Sequence, residues 1–120
     1  MATLTVKLTL TSNSATTDIL ELALADVLTI SNPAVNVGRV SVPTATSVNF
    51  LTTANNTVTY IYVKNIDISN IITIKTDAEV SIATLAPGEF MFLPLKEAVG
   101  LEAQASGAAC VAEYGYWTKS

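Results

Sequence analysis

The chain of 120 residues contains no histidine, one cysteine and few charged side chains. Without histidine, the chain lacks the commonest general base, the usual imidazole metal ligand, and any Ser-His or Cys-His nucleophile pair. The single cysteine, Cys110, excludes an intramolecular disulfide, so packing and strand pairing have to stabilise the fold. Cys110 lies between Ala109 and Val111 without a neighbouring cation, which predicts a buried structural thiol.

Long hydrophobic runs are also missing. No stretch reaches the roughly 18 apolar residues of a membrane-spanning helix, so no membrane span is expected. The N-terminus alternates Thr and Lys with Leu and Val, unlike the continuous apolar core of a signal peptide. We therefore expect a soluble protein made without a conventional export signal.

Positive charge is scarce and scattered. The chain has six Lys and Arg residues and a formal net charge of −4. Proteins that bind nucleic acid gather positive charge on one face to contact phosphates, and no such cluster occurs here. Direct binding of nucleic acid is therefore not expected.

Charged residues make up only 13% of the chain, against about 25% in an ordinary globular domain, whereas hydrophobic residues make up 50%. Soluble monomers usually keep their surfaces charged and free of apolar patches. One interpretation is that much of this surface is covered in an oligomer or an assembled particle. The other is a Thr-rich monomer, since Thr suits solvent-facing strand positions without a partner.

The pattern that is present is one of short strands. Residues 57–95 contain four runs rich in Val, Ile, Thr, Tyr and Phe, separated by turn residues every 8–12 positions. No repeat, linker or low-complexity tract divides the chain, which predicts one domain over residues 1–120. The sequence predicts an all-β fold, a single antiparallel β-sandwich of jelly-roll type. Strands are predicted at residues 3–11, 18–30, 38–42, 48–51, 58–64, 71–75, 80–84, 89–95, 100–105 and 109–117.

Three proline- or glycine-containing positions define the predicted connections. Pro87 and Gly88 predict a type II turn, because proline presets φ and glycine accepts a positive φ. Pro94 predicts an edge strand or a bend. Ser106 and Gly107 predict a hairpin turn that joins the last two strands.

The N-terminal strand is amphipathic, with Leu4, Val6, Leu8 and Leu10 on one face and Thr or Lys on the other. With the polar loop that follows, residues 1–17 form a possible arm that contacts another subunit or a capsid. The alternative is that this strand pairs within its own sandwich. Residues 18–30 are compatible with a helix, but the surrounding pattern favours a strand.

No catalytic or metal site is readable from spacing. Residues 65–70 place oxygen-bearing side chains at alternate positions, as a calcium loop does, but the required glycine and glutamate are Asn70 and Thr76. An Asx-type turn accounts for this segment better. The acids Asp77, Glu79, Glu89, Glu97 and Glu102 are each isolated in sequence, although they can still converge in space.

The aromatic residues fall into three groups. Tyr60 and Tyr62 share one strand face, and Phe90 and Phe92 share another, where we expect them to be core. The C-terminal group can form a subunit interface or a sugar-binding platform, because both uses favour amphipathic rings. It can equally pack over the end of the sandwich. The candidate interface residues are Leu4, Val6, Leu8, Leu10, Tyr114, Tyr116 and Trp117.

Four motifs occur in a familiar order: RVSVP (39–43), YIYVKNID (60–67), LAPGEF (85–90) and EYGYW (113–117). Together they cover about the C-terminal two-thirds of the chain. The set resembles small β-sandwich virion structural proteins of tailed bacteriophages, of the head decoration or cement type. The resemblance implies a non-enzymatic virion component without cofactor or metal. Its implied partners are the phage major capsid protein and further copies of itself, as a homotrimer.

A second class of function stays open at this point. The alternative is a carbohydrate- or protein-binding β-sandwich module of a tail fibre or baseplate. Low charge, the absence of histidine and Thr-rich strands favour the structural virion protein over this module. A groove lined by the C-terminal aromatic rings with carboxylates nearby would favour that alternative.

Overall fold

Period-two alternation of apolar and polar residues along nearly the whole chain produces strands. A computed structural model describes residues 2–13, 20–30, 36–52, 59–96 and 98–118, and ten strands account for most of them. This part of the chain contains no helix, and therefore none long and apolar enough to cross a membrane. The strands are β1 (Ala2–Ser12), β2 (Leu20–Ile30), β3 (Asn36–Val42), β4 (Val48–Leu51), β5 (Thr59–Asn65), β6 (Ile72–Thr76), β7 (Ser81–Leu85), β8 (Phe90–Leu95), β9 (Leu101–Ala105) and β10 (Cys110–Thr118).

Eight of these strands form a jelly roll. β3 pairs with β10, β4 with β9, β5 with β8 and β6 with β7, so the chain folds back on itself at the β6–β7 turn. Two further pairings, β10 with β5 and β9 with β6, join these four strand pairs into two facing sheets of four strands each. We call the sheet β3-β10-β5-β8 the front sheet and the sheet β4-β9-β6-β7 the back sheet. The all-antiparallel, jelly-roll sandwich predicted from the sequence is confirmed.

The core lies between the two sheets. Alternate residues of β5 are buried, and those of β6 and β9 behave similarly, so that Ile61, Ile72 and Leu101 are fully enclosed. Small side chains such as Ala103 and Ala112 face them and let the sheets interdigitate. Cys110 is also buried here, as predicted, and burial raises the pKa of its thiol, with Asp67 raising it further.

The strand predictions are confirmed to within one or two residues at most boundaries. Residues 20–30 form a strand, so the helical interpretation of that segment is wrong. Pro94 lies on β8, an edge strand of the front sheet, as predicted. Most of the loop expected at residues 12–17 lies outside the described residues. So do Asn32–Pro33 and Asn55–Asn56, whose residue types also predict turns.

The predicted hairpin at Ser106 and Gly107 is wrong. β9 belongs to the back sheet and β10 to the front sheet, so these residues carry the chain from one sheet to the other. Gly107 has φ +87°, and a Cβ there would approach the Oδ1 of Asn70 to 2.8 Å. Glycine is therefore required by the crossing rather than by a hairpin.

The turn at Pro87 and Gly88 has the predicted type II form. Gly88 has φ +85°, and the backbone N–H of Glu89 donates to the carbonyl of Ala86 at 2.9 Å. Glycine at the third position of the turn adopts this positive φ, which is unfavourable for a residue with a Cβ. This turn also connects the back sheet to the front sheet, because β7 and β8 belong to different sheets.

The buried side chain of Asn65 hydrogen-bonds to two connections between the sheets, the β5–β6 loop and the β7–β8 turn. Its Nδ2 donates to the carbonyl oxygens of Asn70 and Leu85, each at 2.9 Å, and its Oδ1 accepts from the N–H of Asp67 at 3.0 Å. Its backbone carbonyl accepts from Gly88 at 2.9 Å. The predicted Asx-type turn is therefore present, and it also anchors the connection between β7 and β8.

The Asp67 carboxylate completes the turn. Its Oδ2 accepts hydrogen bonds from the backbone N–H groups of Ser69 at 3.0 Å and Asn70 at 2.8 Å. These bonds favour the ionised form, so the pKa of Asp67 is held below its usual value. The alternate oxygens that imitate a calcium loop are therefore engaged in closing the turn.

Replacing Asn65 with alanine removes all three side-chain hydrogen bonds and leaves the Leu85 carbonyl buried without its donor. We expect Asn65→Ala to lower the free energy of unfolding by about 2–4 kcal/mol. Urea denaturation measures this loss. Asn49→Ala, at an exposed position of β4, is the matched control and should change stability by less than about 0.5 kcal/mol. Equal effects of the two substitutions would contradict the anchoring role of Asn65.

Candidate interaction surface

β1 and β2 form a two-stranded antiparallel unit outside the sandwich, which we call the ribbon. Its pairing runs without interruption from Ala2 opposite Ile30 to Ser12 opposite Leu20. β1 pairs with no strand of either sandwich sheet among the described residues, so the interpretation in which it pairs within the sandwich is wrong. It is not a free single strand either, because β2 is its partner.

One face of the ribbon is apolar. Directly opposed residues of an antiparallel pair project to the same side, so the leucines of β1 share a face with those of β2. The opposite face carries mainly Thr, with Lys7 and Glu21. The apolar face consists of Leu4, Val6, Leu8 and Leu10 from β1 with Leu22, Leu24, Asp26, Leu28 and Ile30 from β2.

The ribbon lies against the outer face of the front sheet, which carries five of the chain's eight aromatic rings. Residues of β5 alternate between the core and this outer face, and their partners on β8 and β10 follow the same alternation. The ring planes of Tyr60 and Phe92 stack with centroids 5.8 Å apart. We call this outer surface the aromatic face; its rings are Tyr60, Tyr62, Phe90, Phe92 and Trp117.

The expectation that Phe90 and Phe92 are core residues is wrong. On β8, Met91, Leu93 and Leu95 point towards the other sheet, so the two phenylalanines project outwards, and Phe90 is 58% exposed. Every residue of β8 from 90 to 95 is apolar. The sequence therefore does not indicate whether the odd-numbered or the even-numbered side chains of this strand face the core.

The ribbon and the aromatic face do not pack tightly against each other. A cavity of about 450 Å³ separates Leu8, Leu24 and Leu28 of the ribbon from Tyr60, Phe92 and Pro94. A second cavity of about 270 Å³ separates β1 from the rings near Trp117. Both spaces are open to solvent, so the ribbon covers the aromatic face only in part.

The C-terminal aromatic residues are divided between two surfaces. Tyr114 and Tyr116 pack against the core, where the ring of Tyr114 lies 5.2 Å from that of Phe50. Trp117 projects from β10 to the opposite side and lines the smaller cavity together with Leu4 and Val6. The structure therefore brings Trp117 together with the N-terminal candidates but separates it from the two tyrosines.

A row of charged side chains borders the aromatic face. Glu113 on β10 lies opposite Arg39 on β3 and Lys64 on β5. The Arg39 Nη2 is 3.6 Å from the Glu113 Oε2, and the Tyr62 hydroxyl donates to the Glu113 Oε1 at 3.0 Å. Burial raises the pKa of Tyr62, and the hydrogen bond to Glu113 raises it further.

A pair of carboxyl groups that sequence spacing did not reveal lies on the outer side of the back sheet. Glu102 on β9 is only 8% exposed, and its Oε1 has no hydrogen-bond partner among the described residues. Glu79 lies next to Glu102 and belongs to the β6–β7 turn, where its backbone has a φ of 65°. Lys75, opposite Glu102 in the sheet, donates to Glu79 at 2.7 Å.

Burial, followed by the neighbouring Glu79, raises the pKa of Glu102, whereas the hydrogen bond from Lys75 lowers the pKa of Glu79. Glu102 is therefore the carboxyl group of the pair that holds a proton more readily. No cluster of three or more potential metal ligands occurs within the described residues. Lys75 inside the cluster also opposes a cation.

Comparisons of the chain with protein-family models, with curated protein sequences and with solved structures found no match. We therefore infer function from the surfaces described above.

The raised pKa of Glu102 predicts a pH dependence of stability. Because the pKa of Glu102 is higher in the folded state than in the unfolded state, its protonated carboxyl group stabilises the fold at pH values below about 4.3, the usual glutamate pKa. This contribution to stability is lost as pH rises through the raised pKa. Glu102→Gln keeps a neutral donor at this site. We therefore expect the stability of the variant, relative to the native chain, to increase as pH rises from about 4 to 8. Urea midpoints at several pH values measure this difference, and parallel profiles would contradict a raised pKa of Glu102.

Proposed function

We propose that this chain is a non-enzymatic virion structural protein of a tailed bacteriophage, of the capsid decoration or cement type. In this proposal it acts in the virion, where it binds the major capsid protein and associates with further copies of itself as a homotrimer. Neither nucleic acid nor a membrane is part of the proposed contacts. The jelly-roll sandwich and the order of the four motifs support this proposal.

The observation that carries the proposal is the amount of apolar surface that one copy leaves exposed. Leu10, Leu22 and Leu24 on the apolar face of the ribbon are 44%, 40% and 55% exposed. Phe90 on the aromatic face is 58% exposed. Exposed apolar side chains grouped on one side of a protein of low charge are typical of surfaces that become covered in an assembly.

The polar chemistry of the chain also supports a structural role. Asn65 and Asp67 use their side chains to close turns, and Glu113 engages Arg39 and Tyr62 across the front sheet. The thiol of Cys110 is buried with a raised pKa, which makes it a poor nucleophile. These groups fix the fold and its surface rather than face a substrate-sized polar cleft.

A carbohydrate-binding module is the second candidate, and one observation favours it. Trp117, Tyr60 and Tyr62 lie on the same outer face as the Arg39–Glu113 pair. Aromatic rings beside a carboxylate and a guanidinium are the groups that hold sugar rings and their hydroxyls. Because Trp117 is the only tryptophan, its fluorescence would report a glycan bound on this face.

Particle composition tests the virion proposal directly. Phage particles purified on a density gradient from cells that produce the chain should contain it in a fixed ratio to the major capsid protein. Cryo-EM of those particles should show a β-sandwich on the capsid surface. If the chain stays in the unassembled fraction of the gradient, the virion proposal is wrong. A tryptophan fluorescence change with glycans would then support the second candidate.

A further inference from the structure

Asp26 departs from the pattern of the ribbon's apolar face. Its neighbours on that face are Leu24 and Leu28 along β2 and Val6 on β1, and it is the one charged residue among the described residues of this face. Its Oδ1 accepts a hydrogen bond from the backbone N–H of Val27 at 2.8 Å. Neither of the two ion pairs formed within the described residues includes Asp26. Its negative charge therefore has no cationic partner in this part of the chain.

Asp26 lines the space of about 450 Å³ between the ribbon and the aromatic face, which we call the larger cavity. Apart from Asp26 and Tyr60, every residue that lines this cavity is apolar. Cavities of roughly 300–1,000 Å³ with mainly apolar walls and a few polar groups are typical sites for small molecules. The larger cavity therefore combines the composition of such a site with a single charge, which is negative.

Two aromatic rings lie across the larger cavity from the ribbon. The ring planes of Tyr60 and Phe92 are within 16° of parallel, and their centroids are 5.8 Å apart. Aromatic rings attract cations because the face of the π-system carries partial negative charge. The carboxylate of Asp26 attracts a cation from the ribbon side. Both walls of the cavity therefore favour a positively charged group over an anion.

The apolar surroundings of Asp26 favour one kind of cation. A primary ammonium or a guanidinium brings several N–H donors, and each donor left without an acceptor in an apolar space costs free energy. A quaternary ammonium has no N–H group, and its methyl groups can contact leucine side chains and aromatic rings directly. It is therefore the cation that matches one carboxylate in an otherwise apolar cavity.

We propose that the larger cavity binds a small quaternary ammonium compound. Its alkyl chain lies against the leucines of the ribbon, and its cationic head lies between Asp26 and the rings of Tyr60 and Phe92. The site is built from one chain, so it goes beyond the proposed function and does not depend on assembly into a virion.

The smaller cavity, the space of about 270 Å³ near Trp117, offers a comparison within the same molecule. It also lies between the ribbon and the aromatic face, and it shares Val6 and Phe92 with the larger cavity. Its described lining includes Lys7 and no acidic residue. A ligand recognised by its positive charge should therefore occupy the larger cavity, whereas a ligand held only by apolar contact would enter both.

A titration of the purified chain with three probes that share a hexyl chain tests the charge preference. The probes are hexyltrimethylammonium, hexanol and hexanoate, and the backbone amide NMR shifts measure the binding of each. We expect hexyltrimethylammonium to give saturable shifts at residues 24–28 and at Tyr60, with smaller shifts at Trp117. It should bind about tenfold more tightly than hexanoate, with hexanol between them. Equal affinities for the three probes, larger shifts at Trp117 than at Asp26, or no saturation would each overturn the proposal.

Substitution of the carboxylate gives a matched comparison. Asp26→Asn keeps the shape of the side chain and an acceptor for the N–H of Val27, so the fold should be retained, with an unchanged far-UV circular dichroism spectrum. We expect its dissociation constant for hexyltrimethylammonium to rise about fivefold, while that for hexanol stays within about twofold. Glu21→Gln removes the same charge from the polar face of the ribbon and should leave both constants within about twofold. Equal effects of the two substitutions would show that net charge alone attracts the probe and would contradict the site.

The aromatic wall can be tested separately. Phe92→Leu removes a ring that lines the larger cavity and leaves an apolar side chain in its place. We expect the dissociation constant for hexyltrimethylammonium to rise about threefold, and more than that for hexanol. Phe90→Leu is the control, because Phe90 is on the same side of β8 but lines the smaller cavity and not the larger one. Equal losses from Phe90→Leu and Phe92→Leu would contradict the proposed position of the cationic head.

Discussion

The front sheet carries large apolar side chains on both of its faces, and the arrangement of the whole molecule follows from that constraint. Its inner face packs on the back sheet through residues such as Ile61 and Val63, in the ordinary manner of a sandwich. Its outer face carries Tyr60, Phe92 and Trp117, which would otherwise be fully exposed to water. The ribbon covers part of that face with its leucines, but open spaces remain beneath it, and Leu10, Leu22 and Leu24 stay at least 40% exposed. We propose that association between copies covers this remaining apolar surface.

Much of the fold could be predicted because period-two alternation is a local signal. The apolar face of β1 could be read directly from residues 3–11, and the turn at Pro87 and Gly88 follows from the φ angles those residues prefer. Asn65 could be assigned to a turn from its neighbours. Its role as the buried link between two sheet crossings could not, because the partner carbonyl of Leu85 is twenty residues away.

The remaining features depend on contacts that are distant in sequence. The all-apolar strand FMFLPL gives no indication of which side faces inward, so the register with β5 decides that Phe90 and Phe92 lie outside. Ser106 and Gly107 have hairpin chemistry, but the jelly-roll order places their flanking strands in different sheets. Glu79 and Glu102 meet only because the β6–β7 turn folds over β9. The pairing of β1 with β2 outside the sandwich is likewise a property of topology.

We propose that one copy of this chain leaves apolar surface that another copy covers. Light scattering on the purified native chain over a range of concentrations measures whether this association occurs. We expect a mass that is a multiple of 12.6 kDa at micromolar concentration and that falls on dilution. A constant mass of 12.6 kDa up to millimolar concentration would contradict it.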